Sequence, residues 1–273
     1  MIPGSATLPT ILMFWHGPPL SRMERLSMTS FLRNGHPVHL YVYEEPGGVP
    51  EGVRVLNAAD ILPRSDLFLH KKRNSIAHFA DWFRYELLYA RGGLWSDTDM
   101  VCLAPFDYTS PIVFAWQDEQ YLNNAVLGLP KGDLLAKWMS DSCRYPNKWL
   151  PYDDMKTRLH KLKRWVKRRG REYVRWGNTG PYGLTSAARH LGYMDHALPR
   201  DVFYPVTYEN HRVLFESGPL AFGGSRAVHF WNQIIEDGKA VDKNARFAAD
   251  SPFEQLWARY MDGARDVRSV SMP

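Results

Sequence analysis

The sequence predicts an α/β protein with a mostly parallel central sheet flanked by helices. Two observations carry this prediction. Strand-like and helix-like patterns alternate from the start of the chain, as they do when helices connect parallel strands. The strand-like runs are also short and largely apolar, which is typical of buried strands. The chain has 273 residues, 45% of them hydrophobic, which is enough for one large domain, and we predict a single domain over residues 1–273.

The first half of the predicted sheet can be placed element by element. Ile11–Trp15 is an apolar run that predicts a buried strand, and Ser21–Arg33 has the apolar spacing of a helix. Val38–Tyr43 and Val53–Leu56 predict the next two strands. The turn after the first strand lies at the kind of strand end where open α/β sheets bind ligands.

The central stretch, Phe79–Asp107, predicts the functional site. Its first part has the apolar pattern of a helix with one buried face. The helix is expected to stop at Gly92 and Gly93, because glycine accepts the left-handed geometry of a helix C-cap. A short extended segment then leads to an acidic Asp-Thr-Asp sequence at residues 97–99.

Asp97 and Asp99 are the first candidates for a binding site. Side chains alternate along an extended chain, so two aspartates one residue apart are expected on the same face. Their like charges favour a cation between them, and carboxylate oxygens suit Mn²⁺ or Mg²⁺, which often bridge to substrate phosphates. The alternative is a pair of solvated turn carboxylates, since so short a motif often arises by chance.

The segment FADWFRYELLYARGGLWSDTDMVCL resembles the sugar-binding DxD region of glycosyltransferase family 32, which includes α-1,4-galactosyltransferases and the yeast initiating α-1,6-mannosyltransferases. The segments FWHG, NTGP and VHFWN extend the resemblance over most of the chain. The family pattern, D-x-x-R-x(10)-aromatic-x-D-x-D, is met by Asp81, Arg84, Trp95, Asp97 and Asp99.

The resemblance implies a GT-A-like, Rossmann-type fold and a metal-dependent hexosyltransferase. The implied reaction moves a hexose from a nucleotide-diphosphate sugar, with UDP favoured, to a glycan or lipid-linked glycan acceptor. It retains the configuration of the anomeric carbon. The chain resembles the bacterial members that lack a membrane anchor, and a role in polysaccharide biosynthesis is expected.

The resemblance also implies roles for single residues. Asp99 is expected to bind Mn²⁺ (or Mg²⁺) directly, Asp97 to bind it less directly or to bind donor hydroxyls, and His229 to be the third protein ligand. Trp231 is expected to donate its indole N–H to the departing oxygen. The other expected donor contacts are Trp15 beside the nucleotide base, Trp95, Asp81 and Arg84 at the sugar or phosphate, and Asn123 or Asn124 at a sugar hydroxyl.

The residues alone leave other interpretations open. Asp81 and Arg84 have the spacing of an ordinary i,i+3 ion pair on a helix surface. Trp15 suits core packing, and a lone histidine such as His229 is commonly structural. A covalent double displacement would need a further carboxylate, for which Asp118 and Glu119 are available, but front-face transfer is the preferred route.

A basic segment stands out at residues 156–175, within a helical insertion predicted at about 150–176. It holds ten Lys and Arg against one Glu, a net charge of +9, whereas the whole chain is +5, so the remaining residues carry about −4. Apolar residues at helical spacing predict a basic amphipathic helix. The helix is expected to lie on an anionic membrane surface, to face a phosphorylated glycan, or to be an ordinary helix with a charged outer face. No nucleic-acid-binding motif accompanies it.

Two other functions compete with the transferase. Residues 97–101 also satisfy the DxDx(T/V) pattern of haloacid-dehalogenase-like phosphatases, although that family places the motif after its first strand. The second rival is a membrane- or polyanion-binding protein with an inactive transferase domain.

The sequence also gives an expectation for the cellular compartment of the protein. Two cysteines are too few for a disulfide framework, and Cys102 is predicted to be a buried thiol. The first 20 residues lack the features of a signal peptide, and no segment approaches the ~20 apolar residues of a membrane span. We therefore expect a cytoplasmic protein, with peripheral contact at the inner membrane face through residues 156–175.

Overall fold

The computed structural model describes residues 8–232 and 241–261. The strands in these ranges are β1 (Ile11–Trp15), β2 (Val38–Val42), β3 (Val53–Asn57), β4 (Gly93–Ser96), β5 (Met100–Cys102), β6 (Val113–Trp116), β7 (Leu122–Leu129), β8 (Ala197–Leu198) and β9 (Ala227–His229). The helices are α1 (Arg22–Arg33), α2 (Ala77–Arg91), α3 (Leu134–Arg144), α4 (Met155–Val166), α5 (Pro181–Leu191) and α6 (Pro252–Met261).

The main sheet has seven strands in the order β3-β2-β1-β4-β7-β6-β8. The first four strands are parallel, whereas β7 runs antiparallel to both β4 and β6. The reversal follows from chain length, because the five residues between β6 and β7 can join antiparallel neighbours but are too few for a parallel crossover. The predicted α/β fold with a mostly parallel sheet is confirmed, and the first three predicted strands match within one residue at each end.

Helices cover both faces of this sheet. Alternate residues of β1 point to opposite faces, so Leu12 and Phe14 pack with α2, α3 and α5, while Ile11 and Met13 pack with α1. Helix α6 packs on the outer side of α1. Cys102 and Cys143 are both buried free thiols, as expected for Cys102. Among the described helices, none has the length and apolar character needed to cross a bilayer.

A second, two-stranded sheet pairs β5 with β9 in antiparallel fashion. Its register sets Met100 opposite His229. Helix α1 fastens this small sheet to the body of the protein, because the Ser27 hydroxyl donates to the carbonyl of Met100 at 2.6 Å. The pairing brings His229 beside Met100 at the start of β5, although the two residues are 129 positions apart in the sequence.

The end of α2 differs in detail from the prediction. Gly92 has a positive φ of 67°, as expected, but its ψ of −175° is extended, not the left-handed helical value. The chain therefore leaves the helix and enters β4 directly. A Cβ at this position would lie 2.5 Å from the Lys131 nitrogen, so both the dihedral angles and the space require glycine here.

We expect Gly92→Ala to destabilise the protein by about 3 kcal/mol or more, because alanine strains the backbone and also forces Lys131 to move. Gly192→Ala is the matched control. Gly192 also ends a helix with φ +81°, but it has open space around the added Cβ, so only the strain of about 1–2 kcal/mol applies. Thermal unfolding of both variants measures the difference. Equal losses at the two positions would contradict the role assigned to Lys131.

Candidate functional site

Asp97 and Asp99 lie on a tight turn between β4 and β5. The expectation that they occupy an extended segment is wrong, because the Met100 N–H donates to the Asp97 carbonyl at 3.2 Å and closes the turn. The two carboxylates nevertheless converge. One ligand atom from each of Asp97, Asp99 and His229 lies within 4.8 Å of the other two. Chain reversal, not side-chain alternation, therefore brings the acids together.

Asp99 is fixed by the segment that follows β9. The His229 Nε2 lies 3.1 Å from Asp99 Oδ2, and the backbone N–H of Asn232 donates to the same oxygen at 2.7 Å. The Phe230 N–H also donates to the Asp99 carbonyl at 2.9 Å. The pairing of β5 with β9 thus places both the imidazole and a backbone donor on this carboxylate.

Asp97 is held by Arg84 and Trp95. The Trp95 indole N–H donates to Asp97 Oδ1 at 2.7 Å, and one guanidinium nitrogen of Arg84 donates to the same oxygen. The other terminal nitrogen of Arg84 donates to Asp81 at 3.0 Å. The Arg84 side chain is only 3% exposed, so the Asp81–Arg84 pair is not the solvated surface pair that helix spacing alone allows.

Asp81 organises the residues around it. Its carboxylate accepts hydrogen bonds from Arg84, from the Asn124 amide at 2.8 Å and from the Thr179 hydroxyl at 2.8 Å. The Tyr85 hydroxyl donates to the Thr179 carbonyl, which ties α2 to the segment before α5. Three protein donors already satisfy Asp81, so its described contacts are structural ones.

Asn123 and Asn124 lie inside β7. Asn124 donates to Asp81, and Asn123 donates to the Gln117 side chain at 2.8 Å. The Asn123 carbonyl oxygen also accepts from the Ala125 N–H. Both asparagines are buried and both line the cavity described below, so their orientation is set before any ligand binds.

Trp231 is held in an unusual backbone conformation, with a φ of +57°. This is the left-handed region that bulky residues rarely adopt. Its ring lies against His229, with the centroids 4.1 Å apart, and its indole N–H donates to the Val206 carbonyl at 3.0 Å. The predicted donation to a leaving oxygen stays a prediction, and it would require the bond to Val206 to be released.

Two cavities meet at the turn that carries the aspartates. The first, of about 250 Å³, is bordered by the ends of β1 and β4 and includes Trp15, whose indole N–H donates to the Pro18 carbonyl. The second, of about 300 Å³, includes Asn124, His229 and Trp231. Both cavities are lined by Ala77, Asp81, Asp97 and Asp99. The site therefore has two compartments with the aspartates on the wall between them.

His78 and Trp176 are site residues that the sequence analysis missed. The His78 ring stacks on Trp176 with the centroids 4.9 Å apart, and both residues line the larger of these cavities. The His78 side chain is buried, and neither of its ring nitrogens has a hydrogen-bond partner among the described residues. Burial lowers the pKa of His78 to about 4, so the ring is neutral at physiological pH. The one feature of the sequence that could have identified His78 is its position, one helical turn before Asp81.

The electrostatics of the two aspartates differ. Burial raises the pKa of Asp97 to about 6, against the opposing effect of Arg84, and the negative charge of Asp99 adds to the rise. Burial also acts on Asp99, but the contacts with His229 and the Asn232 N–H outweigh it and lower its pKa. One carboxylate is thus ionised well below neutral pH, whereas the other releases its proton only near pH 6.

The three converging side chains fit a divalent metal ion. Two carboxylates and an imidazole form a mixed oxygen and nitrogen set that suits Mn²⁺, and the two oxygens also suit Mg²⁺. The second ring nitrogen of His229, Nδ1, is buried without a hydrogen-bond partner in the described ranges. The rise in the pKa of Asp97 comes first from its burial, and the charge of Asp99 adds to it; a cation bound between the two carboxylates would offset both effects.

Two family models match the chain, and the stretches they match contain the residues of this site. The model described as "Glycosyltransferase sugar-binding region containing DXD motif" matches residues 33–120, which hold the two aspartates. The model described as "Alpha 1,4-glycosyltransferase conserved region" matches residues 172–256, which hold His229 and Trp231. The resemblance drawn from the sequence is therefore confirmed.

Individual relatives are distant. The chain is 22% identical over 200 residues to a human alpha-1,4-N-acetylglucosaminyltransferase, a match that covers 67% of this chain and 51% of the relative. The chain thus spans about half the length of that curated relative. Similar solved structures include the PaToxG glycosyltransferase (14% identity, TM-score 0.44, covering 67% of this chain and 70% of that one) and the ligand-free glycosyltransferase domain of the YGT toxin (8% identity, TM-score 0.47, covering 98% and 92%).

The raised pKa of Asp97 predicts how metal binding depends on pH. A proton on Asp97 competes with the metal, so affinity should be full above pH 6 and should fall by about tenfold per pH unit below it. Calorimetric titration with Mn²⁺ between pH 5 and pH 8 measures this. Asp97→Asn should bind more weakly at pH 7.5 and show a shallower pH dependence. A wild-type affinity that stays constant down to pH 5 would contradict the prediction.

Proposed function

We propose that this chain, which two glycosyltransferase family models match over residues 33–120 and 172–256, transfers a hexose from a nucleotide-diphosphate sugar to a glycan or lipid-linked glycan. The single observation that carries the proposal is the convergence of Asp97, Asp99 and His229 on the wall between two cavities. A transferase that uses a nucleotide sugar needs a place for the nucleotide, a place for the sugar and a charge-stabilising centre between them, and this arrangement supplies all three.

The metal in this proposal is Mn²⁺ or Mg²⁺, held by Asp99, Asp97 and His229. When bound, such a cation stabilises the negative charge that develops on a departing diphosphate. Asp99 is the principal ligand, since its lowered pKa keeps it ionised. Arg84 is buried between two carboxylates, which supports a role in holding Asp97 in place ahead of a direct contact with the donor.

The smaller cavity is the proposed place of the nucleotide. It lies at the carboxyl end of β1, where open α/β sheets bind ligands, and Trp15 offers an aromatic face to a base. Asn124 and Asn123 line the other cavity, beyond the aspartates, where their amides suit the hydroxyls of a sugar. UDP is the favoured nucleotide by family resemblance. The human relative's name specifies N-acetylglucosamine, which makes UDP-GlcNAc one of the donors to test.

Front-face transfer with retention is the proposed route. A covalent route would need a nucleophilic carboxylate in the site. Neither Asp118 nor Glu119 lines the two cavities, and Asp118 already accepts from the N–H groups of Gln120 and Tyr121. In the front-face route the leaving phosphate takes the proton of the acceptor hydroxyl, and the protein orients the two reactants on the same side of the sugar.

The acceptor is proposed to approach through a third and larger cavity, of about 450 Å³, on the far side of residues 177–183. Tyr121 and Tyr182 lie on its wall with their rings 4.5 Å apart, and Tyr152 completes an aromatic lining. Aromatic faces among polar side chains are a common surface for carbohydrate. Thr179 belongs to this wall and also donates to Asp81, so the acceptor cavity and the donor site share a boundary.

The phosphatase alternative finds little support in the structure. Asp97 follows β4, the fourth strand along the chain, not the first. The adjacent acidic pair Asp153-Asp154 lies at α4, where Asp153 pairs with Lys161 and Asp154 caps the helix. The pair lines the acceptor cavity and not the two cavities at Asp97, so its carboxylates are not brought to the DxD turn.

Donor hydrolysis tests the proposed function. UDP-Gal, UDP-Glc, UDP-GlcNAc and GDP-Man are each incubated with the protein and Mn²⁺, and released sugar is measured. We expect slow release from one donor, its loss with EDTA, and a fall of about 10²-fold or more in Asp99→Asn, since that variant loses a metal ligand.

Asp118→Asn is the matched control, because it makes the same change in a nearby loop outside the two cavities at the aspartates. Its rate should stay within about twofold of wild type. A loss of release equal to that of Asp99→Asn would support a covalent route instead. Absence of both hydrolysis and metal-dependent nucleotide binding for all four donors would overturn the proposal and favour an inactive transferase domain.

A further inference from the structure

Helix α4 presents its apolar residues to solvent. Met155, Leu159, Leu162 and Val166 follow one another at spacings of four, three and four, so they form one stripe along the helix. They are between 42% and 69% exposed. This stripe is called the α4 outer face below. The predicted amphipathic helix is confirmed, but an ordinary helix with a charged outer face is not what the structure shows.

The polar side of α4 is anchored to the protein. Lys161 is buried, and its ammonium group donates to Asp153 at 2.6 Å and to the Lys148 carbonyl at 2.9 Å. Arg164 donates to the Asn147 side chain and to the Pro146 carbonyl. Asp154 caps the first turn through the Thr157 N–H. The cations therefore hold the helix in place, and the apolar stripe is left outward.

Exposed aromatic residues lie at the end of α4 and on the segment before it. Trp165 is 65% exposed at the end of the helix, and Trp149 and Tyr145 are exposed on the segment that anchors it. The Arg158 guanidinium lies over the Trp149 ring, 5.6 Å from its centroid. Seven of the large hydrophobic side chains exposed in the described residues thus fall within residues 145–166. Clustering of this kind marks an interaction surface, unlike exposed apolar residues scattered singly.

The charge around this surface identifies its partner. Residues 156–175 carry a net charge of +9, to which the anchoring Lys161 and Arg164 contribute two of the ten cations, and Lys156 and Lys163 are exposed beside the apolar stripe. An apolar stripe with Trp at its end and Lys or Arg along its sides is the composition of helices that lie in a membrane interface. The cations are attracted to anionic lipid headgroups, and the apolar residues enter the boundary between headgroups and acyl chains.

We infer that the α4 outer face docks on an anionic lipid bilayer and holds the protein peripherally at a membrane, with the inner face of the cell membrane as the expected location. A second copy of the chain is a poorer occupant. A symmetric dimer through this face would bring two segments of charge +9 together, and their repulsion opposes association. A bilayer supplies both the apolar depth and the opposite charge.

Vesicle co-sedimentation tests the inference with the full chain and no nucleotide. Wild-type protein is mixed with vesicles of phosphatidylcholine alone or with one third phosphatidylglycerol. We expect the protein to bind only the anionic vesicles. The affinity should fall by about fivefold in each of the variants Lys156→Gln and Lys163→Gln, because each loses one cation, and added salt should also weaken binding. Leu159→Ser/Leu162→Ser should lose binding by at least tenfold, because two apolar side chains no longer enter the interface.

The matched control is Leu69→Ser/Val213→Ser. These side chains are 40% and 48% exposed, like those of Leu162 and Leu159, but they lie outside residues 145–166. The control should bind vesicles as wild type does. Because all four positions are exposed, each variant should keep the wild-type melting temperature. Equal binding by both double variants, equal binding to neutral and anionic vesicles, or a wild-type dimer that Leu159→Ser/Leu162→Ser dissociates would each overturn the inference.

Discussion

The site depends on one buried cation, the guanidinium of Arg84, which lies between Asp81 and Asp97. Burial alone would lower the pKa of Arg84, but the two carboxylates raise it above its ordinary value, so the group stays charged. Removing one partner of such a buried pair typically costs about 3–5 kcal/mol, since the remaining charge has no compensation. Arg84 thereby links α2, which carries Asp81, to the turn that carries Asp97.

The elements around this cation form a rigid frame on three sides. Asp81 connects α2 to β7 through Asn124 and to the start of α5 through Thr179. The β5–β9 pair brings His229 to the turn from the opposite direction. Each site residue is thus fixed by a partner on another element, which is the second layer of contacts that a metal or substrate site needs to be preorganised.

Local patterns in the sequence predicted the fold and part of the site. The apolar runs predicted β1, β2 and β3, and the DxD spacing identified Asp97 and Asp99. The turn conformation was missed because alternation assumes an extended chain, and a single peptide hydrogen bond to Asp97 changes it. Contacts across long separations were also out of reach of spacing arguments. The Asp81–Thr179 bond and the place of His78 depend on packing that no local pattern encodes, and His229 was found only through family resemblance.

The orientation of α4 shows a further limit of sequence patterns. Periodicity identifies two faces of a helix but does not say which one is buried, and the usual assumption is that the apolar face turns inward. Here Lys161 and Arg164 find acceptors on the preceding segment, residues 146–153. Those acceptors lie outside the helix, so the helix sequence alone could not reveal that the side carrying Lys161 and Arg164 faces the protein.

The pairing of β5 with β9 has a consequence for the synthesis of the chain. The donors to Asp99 come from His229 and Asn232, which follow it by 130 and 133 residues. During synthesis, the DxD turn leaves the ribosome before residue 229 does. At that stage the growing chain has both aspartates but lacks the imidazole. The complete ligand set therefore arises only after residue 229 has left the ribosome. Tight capture of the proposed metal ion would thus report that the chain has been made and folded through β9.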